Sequence, residues 1–470
     1  MPITINWFLL AMKFEFTNFG LLDHTTFNIV EMTKKLTFDE VISIIQSDNS
    51  TQLNELIRER GIVDINMRDL ERTKSLLMAT CQIGSISCAK VLIDNNADIN
   101  DRVDENTALK CACLSGNVQM LQFVIEHGFV INDCVLTKLF EIESILVNTD
   151  IATELILHVV DVNYQGPRGT YEEGSLLLYA CRYGNITIVR MLLERGADRS
   201  LISSVYGSSL EVAARHGHTD IVELLLDWDA ADSRPIPRDS LNTALREAAI
   251  HGNVSTARRL IAAGVDPSAL DLAMYEANKY DRPELGQLLL DSGLDVNAMD
   301  SSGGYALLHA CSHHSTGMVQ LLLARGADPN AVDERGDTSL RAAELYPDIL
   351  LLLLEHGADP NLVFYDGLTV LFDIIGRHNS SIESLSLLLQ HGADPNQADA
   401  SGETPLYVGA VARRVDYVRV LLEHGADVTQ VIRDGKCLLE LLTDPKYSKV
   451  VELCLQYVDS NRPGAKAILK

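Results

Sequence analysis

The sequence predicts an all-α solenoid of about thirteen helix–turn–helix units with short β-hairpin-like fingers, and three observations predict it. Gly-Ala-Asp recurs at Gly196, Gly326, Gly357, Gly392 and Gly425, with variants at Gly128, Gly264 and Gly293. From Gly293 onward the steps are 33, 31, 35 and 33 residues. An apolar helix such as Ile221-Val222-Glu223-Leu224-Leu225-Leu226 precedes each copy. Before that comes a shorter helix with adjacent small residues, such as Ala213-Ala214 or Ala248-Ala249.

Each element has a physical reason. Paired alanines let one helix approach its neighbour closely, and the Val/Leu stripe at helical spacing faces the stack. Gly217 or Gly252 ends the first helix where a left-handed cap is needed, and the glycine of Gly-Ala-Asp ends the second in the same way. Asp-x-Asn then opens a turn, since both side chains hydrogen-bond to nearby backbone. The continuous array is expected over 36–458, with Thr37–Asn66 and Cys437–Val458 as atypical caps. Residues 1–35 form an N-terminal extension without the repeat, inside which Met32 is a candidate start of translation. Residues 459–470 form a polar tail. The unit at 133–163 has lost its glycines and alanines and reads as a weak joint or, alternatively, as a well-packed eccentric repeat. Longer connections at Tyr164–Gly174 and Ala231–Leu241 read as enlarged fingers.

At this point the residues resemble the ankyrin family. Glu403-Thr404-Pro405-Leu406-Tyr407 is similar to its Thr-Pro-Leu-His entry into the first helix, and Gly425-Ala426-Asp427-Val428-Thr429 to its exit. The motif's histidine slot holds Lys110, Leu178, Glu211, Arg246, Leu308, Arg341 and Tyr407 instead. The resemblance implies a non-catalytic protein–protein interaction scaffold or adaptor that uses a concave groove and finger loops. An elastic tether without one dominant groove is the alternative; a metal-binding or enzymatic module is disfavoured. With twelve residues after the last unit, the chain reads as a stand-alone binder.

Composition bounds the partners. A formal charge of −26 repels phosphate backbones, so nucleic acid is not the expected ligand. No run approaches the ~18 apolar residues that span a bilayer. The nine cysteines fit a reduced cytoplasmic or nuclear environment. Of these, Cys81, Cys113, Cys181 and Cys311 share the second small-residue slot and read as compact buried side chains. No phosphate-binding loop, HExxH or GxSxG motif is present, so neither an enzyme nor a cofactor is expected. His309 and His313 have ligand spacing but no acidic third nearby, so a metal is not expected either.

Partner-binding positions implied by the resemblance are the two residues before each first-helix glycine slot. In the middle repeats these are Arg182-Tyr183, Arg215-His216, Ile250-His251, Lys279-Tyr280 and Ser312-His313. No acidic side chain enters this ladder, which suits an acidic or phosphorylated peptide segment. Beyond it the slots read Glu344-Leu345 and Gly376-Arg377. Fingertip residues Tyr206, Arg335 and Tyr365 extend the surface, and a monomer is expected.

Overall fold

The computed structural model describes residues 36–58, 63–71, 73–167, 173–228, 236–364, 367–377, 381–430, 438–441 and 444–461. The expectations for 1–35, for Tyr365 and for the tail beyond 461 lie outside these residues. Two compact units are present: Met1–Ser209 with Asp229–Arg234, and Leu210–Trp228 with Pro235–Lys470.

The first unit stacks α1 Phe38–Gln46 and α2 Ser50–Arg58, α3 Leu76–Ile83 and α4 Ile86–Asp94, then α5 Ala108–Ser115 and α6 Val118–Glu126. It continues through α7 Asp133–Phe140, α8 Glu143–Val147 and α9 Thr149–Ile156 to α10 Leu176–Arg182 and α11 Ile186–Glu194. Two-residue hairpins form its fingers: β1 Arg102–Val103 against β2 Asn106–Thr107, and β3 Ile202–Ser203 against β4 Gly207–Ser208, both antiparallel.

The second unit opens with α12 Ser209–His216 and α13 Thr219–Asp227. The next three pairs are α14 Arg238–His251 with α15 Val254–Ala262, α16 Pro267–Lys279 with α17 Pro283–Asp291, and α18 Ala306–Ser312 with α19 Thr316–Ala324. Then come α20 Ser339–Ala342 with α21 Pro347–Glu355, α22 Val370–Gly376 with α23 Ile382–Gln390, and α24 Pro405–Val411 with α25 Val415–Glu423. It closes with α26 Leu438–Leu441 and α27 Ser448–Asn461.

First helices start where a hydroxyl can satisfy an orphan backbone donor. Ser75, Thr107, Ser175, Thr338 and Thr404 each accept the N–H three residues on. The threonine of the entry motif therefore keeps its capping role although the histidine is gone. Gly252 closes α14 at φ 74, and His314 takes the same left-handed conformation at φ 57 after α18. Second helices bury their apolar stripe, as Ile188, Val189 and Leu192 do in α11. Each such side chain contributes roughly 1.5–3 kcal/mol.

The Asp-x-Asn turn divides its work in a way that local reading did not anticipate. The aspartate bonds locally: Asp328 accepts the N–H of Asn330 at 2.9 Å. The asparagine instead reaches the next repeat, donating to its glycine carbonyl and accepting its aspartate N–H. In the first unit Asn163 does so with Gly196 at 3.3 Å and Asp198 at 2.8 Å. In the second, Asn297, Asn330, Asn361 and Asn396 repeat the clamp in succession.

Three elements depart from expectation. The connection at Ala231–Leu241 is not all finger: Arg238–Leu241 is the first turn of the 14-residue α14. The 133–163 unit breaks its first helix into α7 and α8, with Asn148 capping the second helix α9, and fills its core with Leu136, Phe140, Ile145, Ile151 and Leu155. The repeat containing α20 is two residues short, since Pro347 follows Thr338 by nine positions where Thr316 follows Tyr305 by eleven. Its first helix is accordingly cut to four residues.

Candidate functional site

Exposed ends of the first helices form the face on which the expected binding residues sit. In the first unit, α10 carries Arg182 and Tyr183. The Arg182 guanidinium lies 5.3 Å from the Tyr206 ring and 5.5 Å from that of Tyr183. Tyr183 donates its hydroxyl to the Glu141 carbonyl at 2.6 Å, and Tyr179 donates to the Glu141 carboxylate at 2.7 Å. Burial, then the bond to Glu141, pushes the Tyr179 phenol well above its usual range. Tyr183 and Tyr206 are both half-buried, and the Tyr206 ring packs edge-on against Tyr179.

In the second unit the face is threaded with ion pairs. Arg215 on α12 meets Glu247 on α14 at 2.9 Å, and His251 lies 4.0 Å from the same carboxylate. Arg246 meets Glu276 on α16 at 2.8 Å. No acid stands in the ladder's own slots, but Glu247 and Glu276, just before the paired small residues, meet Arg215 of the ladder and Arg246 of the histidine slot. Lys279 has no carboxylate partner among the described residues and lies 5.3 Å from the Tyr280 ring. His216, His251, Lys279, Tyr280 and His313 are exposed.

His309 and His313 both pack edge-on against Tyr275, at 5.2 and 5.6 Å. Burial, with His309 and Lys279 nearby, lowers the pKa of His313. The sequence showed no acid near this pair, but Asp300 reaches from the preceding turn to within 2.8 Å of His309 Nε2. Burial alone would raise the Asp300 carboxyl; bonds from Ser302 and Gly304, with His309 beside it, hold it low. No group of three His, Cys, Asp or Glu side chains suited to a metal occurs among the described residues.

Arg335 is exposed at a fingertip, where its N–H donates to Asp333 at 2.9 Å. Cys81, Cys113, Cys181 and Cys311 are buried, and burial pushes all four thiols up. Among the described residues no helix is long and apolar enough to cross a membrane.

Glu344 needs a further correction. Read as an exposed ladder position, it occupies the buried second small-residue slot, six residues after the Thr338 cap, and is 3% exposed. Its Oε1 meets Arg377 Nη1 at 2.5 Å, while Oε2 has no hydrogen-bond partner among the described residues. Arg341 bridges Asp337 and Asp373 beside it.

The ankyrin-repeat model (three copies) matches residues 42–133, 144–235, 272–364 and 342–432, and the single ankyrin-repeat model matches 240–272. Similar proteins include ankyrin repeat and KH domain-containing protein mask-1 of Caenorhabditis elegans, 36% identical over 140 residues, which are 29% of this chain and 5% of that protein. A putative ankyrin repeat protein of Fowlpox virus, FPV244, is 28% identical over 228 residues, 47% of this chain and 33% of that one. The chain thus spans a third or less of the length of either relative. The crystal structure of the human ASB11 ankyrin repeat domain aligns with TM-score 0.40 and 24% identity, covering 47% of this chain and all of that one. Repeats of this kind are in general protein–protein interaction modules. With family models matched along most of its length, the chain belongs to the ankyrin-repeat family.

Proposed function

We propose that the chain is a non-catalytic scaffold or adaptor that holds protein partners on the exposed ends of its first helices and on its fingers. The observation that carries this reading is the succession His251, Lys279, Tyr280 and His313, exposed at three consecutive repeats of one unit. Tyrosine and cationic side chains on a face of regular spacing are what hot spots are made of. An acidic segment is favoured by Lys279, and disfavoured at Arg215 and Arg246, whose charges already meet carboxylates within the chain. The buried thiols suit a cytoplasmic or nuclear setting.

The test is affinity capture with the full chain against a variant carrying Lys279→Ala, Tyr280→Ala and His313→Ala, its folding first verified by circular dichroism. Specific loss of a captured protein supports groove recognition, with at least ~2 kcal/mol expected for a hot-spot cluster. Unchanged capture would favour the tether.

A further inference from the structure

The shortened repeat of the second unit leaves an open groove of about 370 Å³ beside α20. Leu308, Leu345 and Tyr346 supply apolar walls, and Ser312, Glu344 and Arg377 supply polar ones. The same slot holds an uncharged residue in neighbouring repeats: Asn278 and Cys311 in the two before, Ile375 and Ala410 in the two after. A carboxylate there is buried at a cost unless its oxygens are bonded. One oxygen is bonded, by Arg377; Oε2 is not, among the described residues.

The surrounding charges say what would complete it. Asp337, Glu344 and Asp373 face Arg341 and Arg377, so acids outnumber guanidinium groups by three to two. An anion brought into the groove would meet Asp337 and Glu344 in its lining, with Asp373 already paired to Arg341 and Arg377. A cation would meet the unmatched carboxylate, in a chain whose net charge is −26. A single unbonded acceptor, itself buried, suits a compact ammonium better than a planar fork, and the Leu308, Leu345 and Tyr346 walls suit a methylene stem.

We infer that this groove is a receptor for a lysine side chain of a partner protein, the stem lying along Leu308, Leu345 and Tyr346 and the ammonium donating to Glu344 Oε2. The inference rests on the reading of the chain as a protein-binding module and names the partner chemistry at one place on it. The lysine needs no bond-making step; it supplies the missing donor and leaves the Arg377 contact to the other oxygen.

The probe is Nα-acetyl-lysine N-methylamide, titrated into the full chain at pH 7.5 by calorimetry, beside its norleucine, Nε-acetyl-lysine and arginine counterparts. The expected result is binding of the lysine compound, at least ten-fold weaker binding of the two uncharged ones, and at least ten-fold loss in Glu344→Gln. That substitution keeps the shape of the side chain, and circular dichroism verifies its fold. Equal binding of norleucine, indifference to Glu344→Gln, tighter binding of the arginine compound, or no binding at all would each overturn the inference. The capture experiment reads separately: unchanged capture by the Lys279, Tyr280, His313 variant while the lysine probe still binds would sink the wider reading alone.

Discussion

Glu344 Oε1 lies 2.5 Å from Arg377 Nη1, yet the pair does not bring the carboxyl into its ordinary range. Burial outweighs the guanidinium and pushes its pKa up to about 6. A carboxyl raised in the fold stabilises it fully below the ordinary value near 4.5, and that stabilisation fades as pH rises through about 6. Relative to Glu344→Gln, the native chain should therefore lose about 1–2 kcal/mol between pH 4.5 and pH 7.5. Urea unfolding of both proteins across that range checks it; parallel pH profiles would show an ordinary carboxyl.

Asn330 should matter more than a turn residue normally does. It donates to the Gly357 carbonyl at 3.0 Å and accepts the Asp359 N–H at 2.7 Å. Asn330→Ala removes both bonds at ~0.5–1.5 kcal/mol each. Asn330→Asp removes the donor and sets a carboxylate against a carbonyl, while keeping the acceptor. The Asp359 amide should then exchange with solvent faster in the alanine variant than in the aspartate one. Equal exchange in the two would mean that the clamp is not what protects it.

Gly286 sits inside α17, where alanine would ordinarily gain about 1 kcal/mol in helix propensity. An added Cβ would lie 2.7 Å from Met318 Cε, 2.8 Å from its sulfur and 2.9 Å from Leu321 Cδ2. Met318 is fully buried, so its end has little room to swing. Overpacking should win, and Gly286→Ala should cost a net ~1–2 kcal/mol in urea unfolding. A stabilised variant would show that α17 and α19 can part at little cost.

Tyr179→Phe tests the fastening of the irregular 133–163 unit. The Tyr179 hydroxyl donates to the Glu141 carboxylate at 2.7 Å, and its ring is fully buried. A hydrogen bond to a charged acceptor is worth ~1.5–3 kcal/mol. Loss of that order is expected in thermal unfolding of the variant, with the helical signal unchanged at low temperature.

Reading outward from these residues shows which parts of the fold the chain declares locally. Cys81, Cys113, Cys181 and Cys311 could be placed as buried from spacing alone, because each stands six residues after its cap position and that slot faces the neighbouring helix. Glu344 stands at the same spacing but in a repeat two residues short, so counting back from the glycine slot sets it one position too far outward. The binding face suffered from a related limit. Ladder slots are periodic and readable, but Glu247 and Glu276 reach Arg215 and Arg246 across about 30 residues of chain. No local pattern marks such partners. The same holds for the asparagine clamps, which look like turn chemistry until the next repeat is in place, and for Asp300, nine residues from His309.

Those clamps also act as a ruler. Along the second unit the bond from asparagine to glycine carbonyl spans 29, 27, 31 and 29 residues, yet its length stays between 2.9 and 3.1 Å. Each joins one repeat's exit to the next repeat's exit and bypasses the helices between them. Residues can therefore be gained or lost inside a repeat without changing the pitch at which exits follow one another. The shortened repeat is the case in point: its lost turn opened a groove while the array kept its step. A chain built this way can vary its surface one repeat at a time.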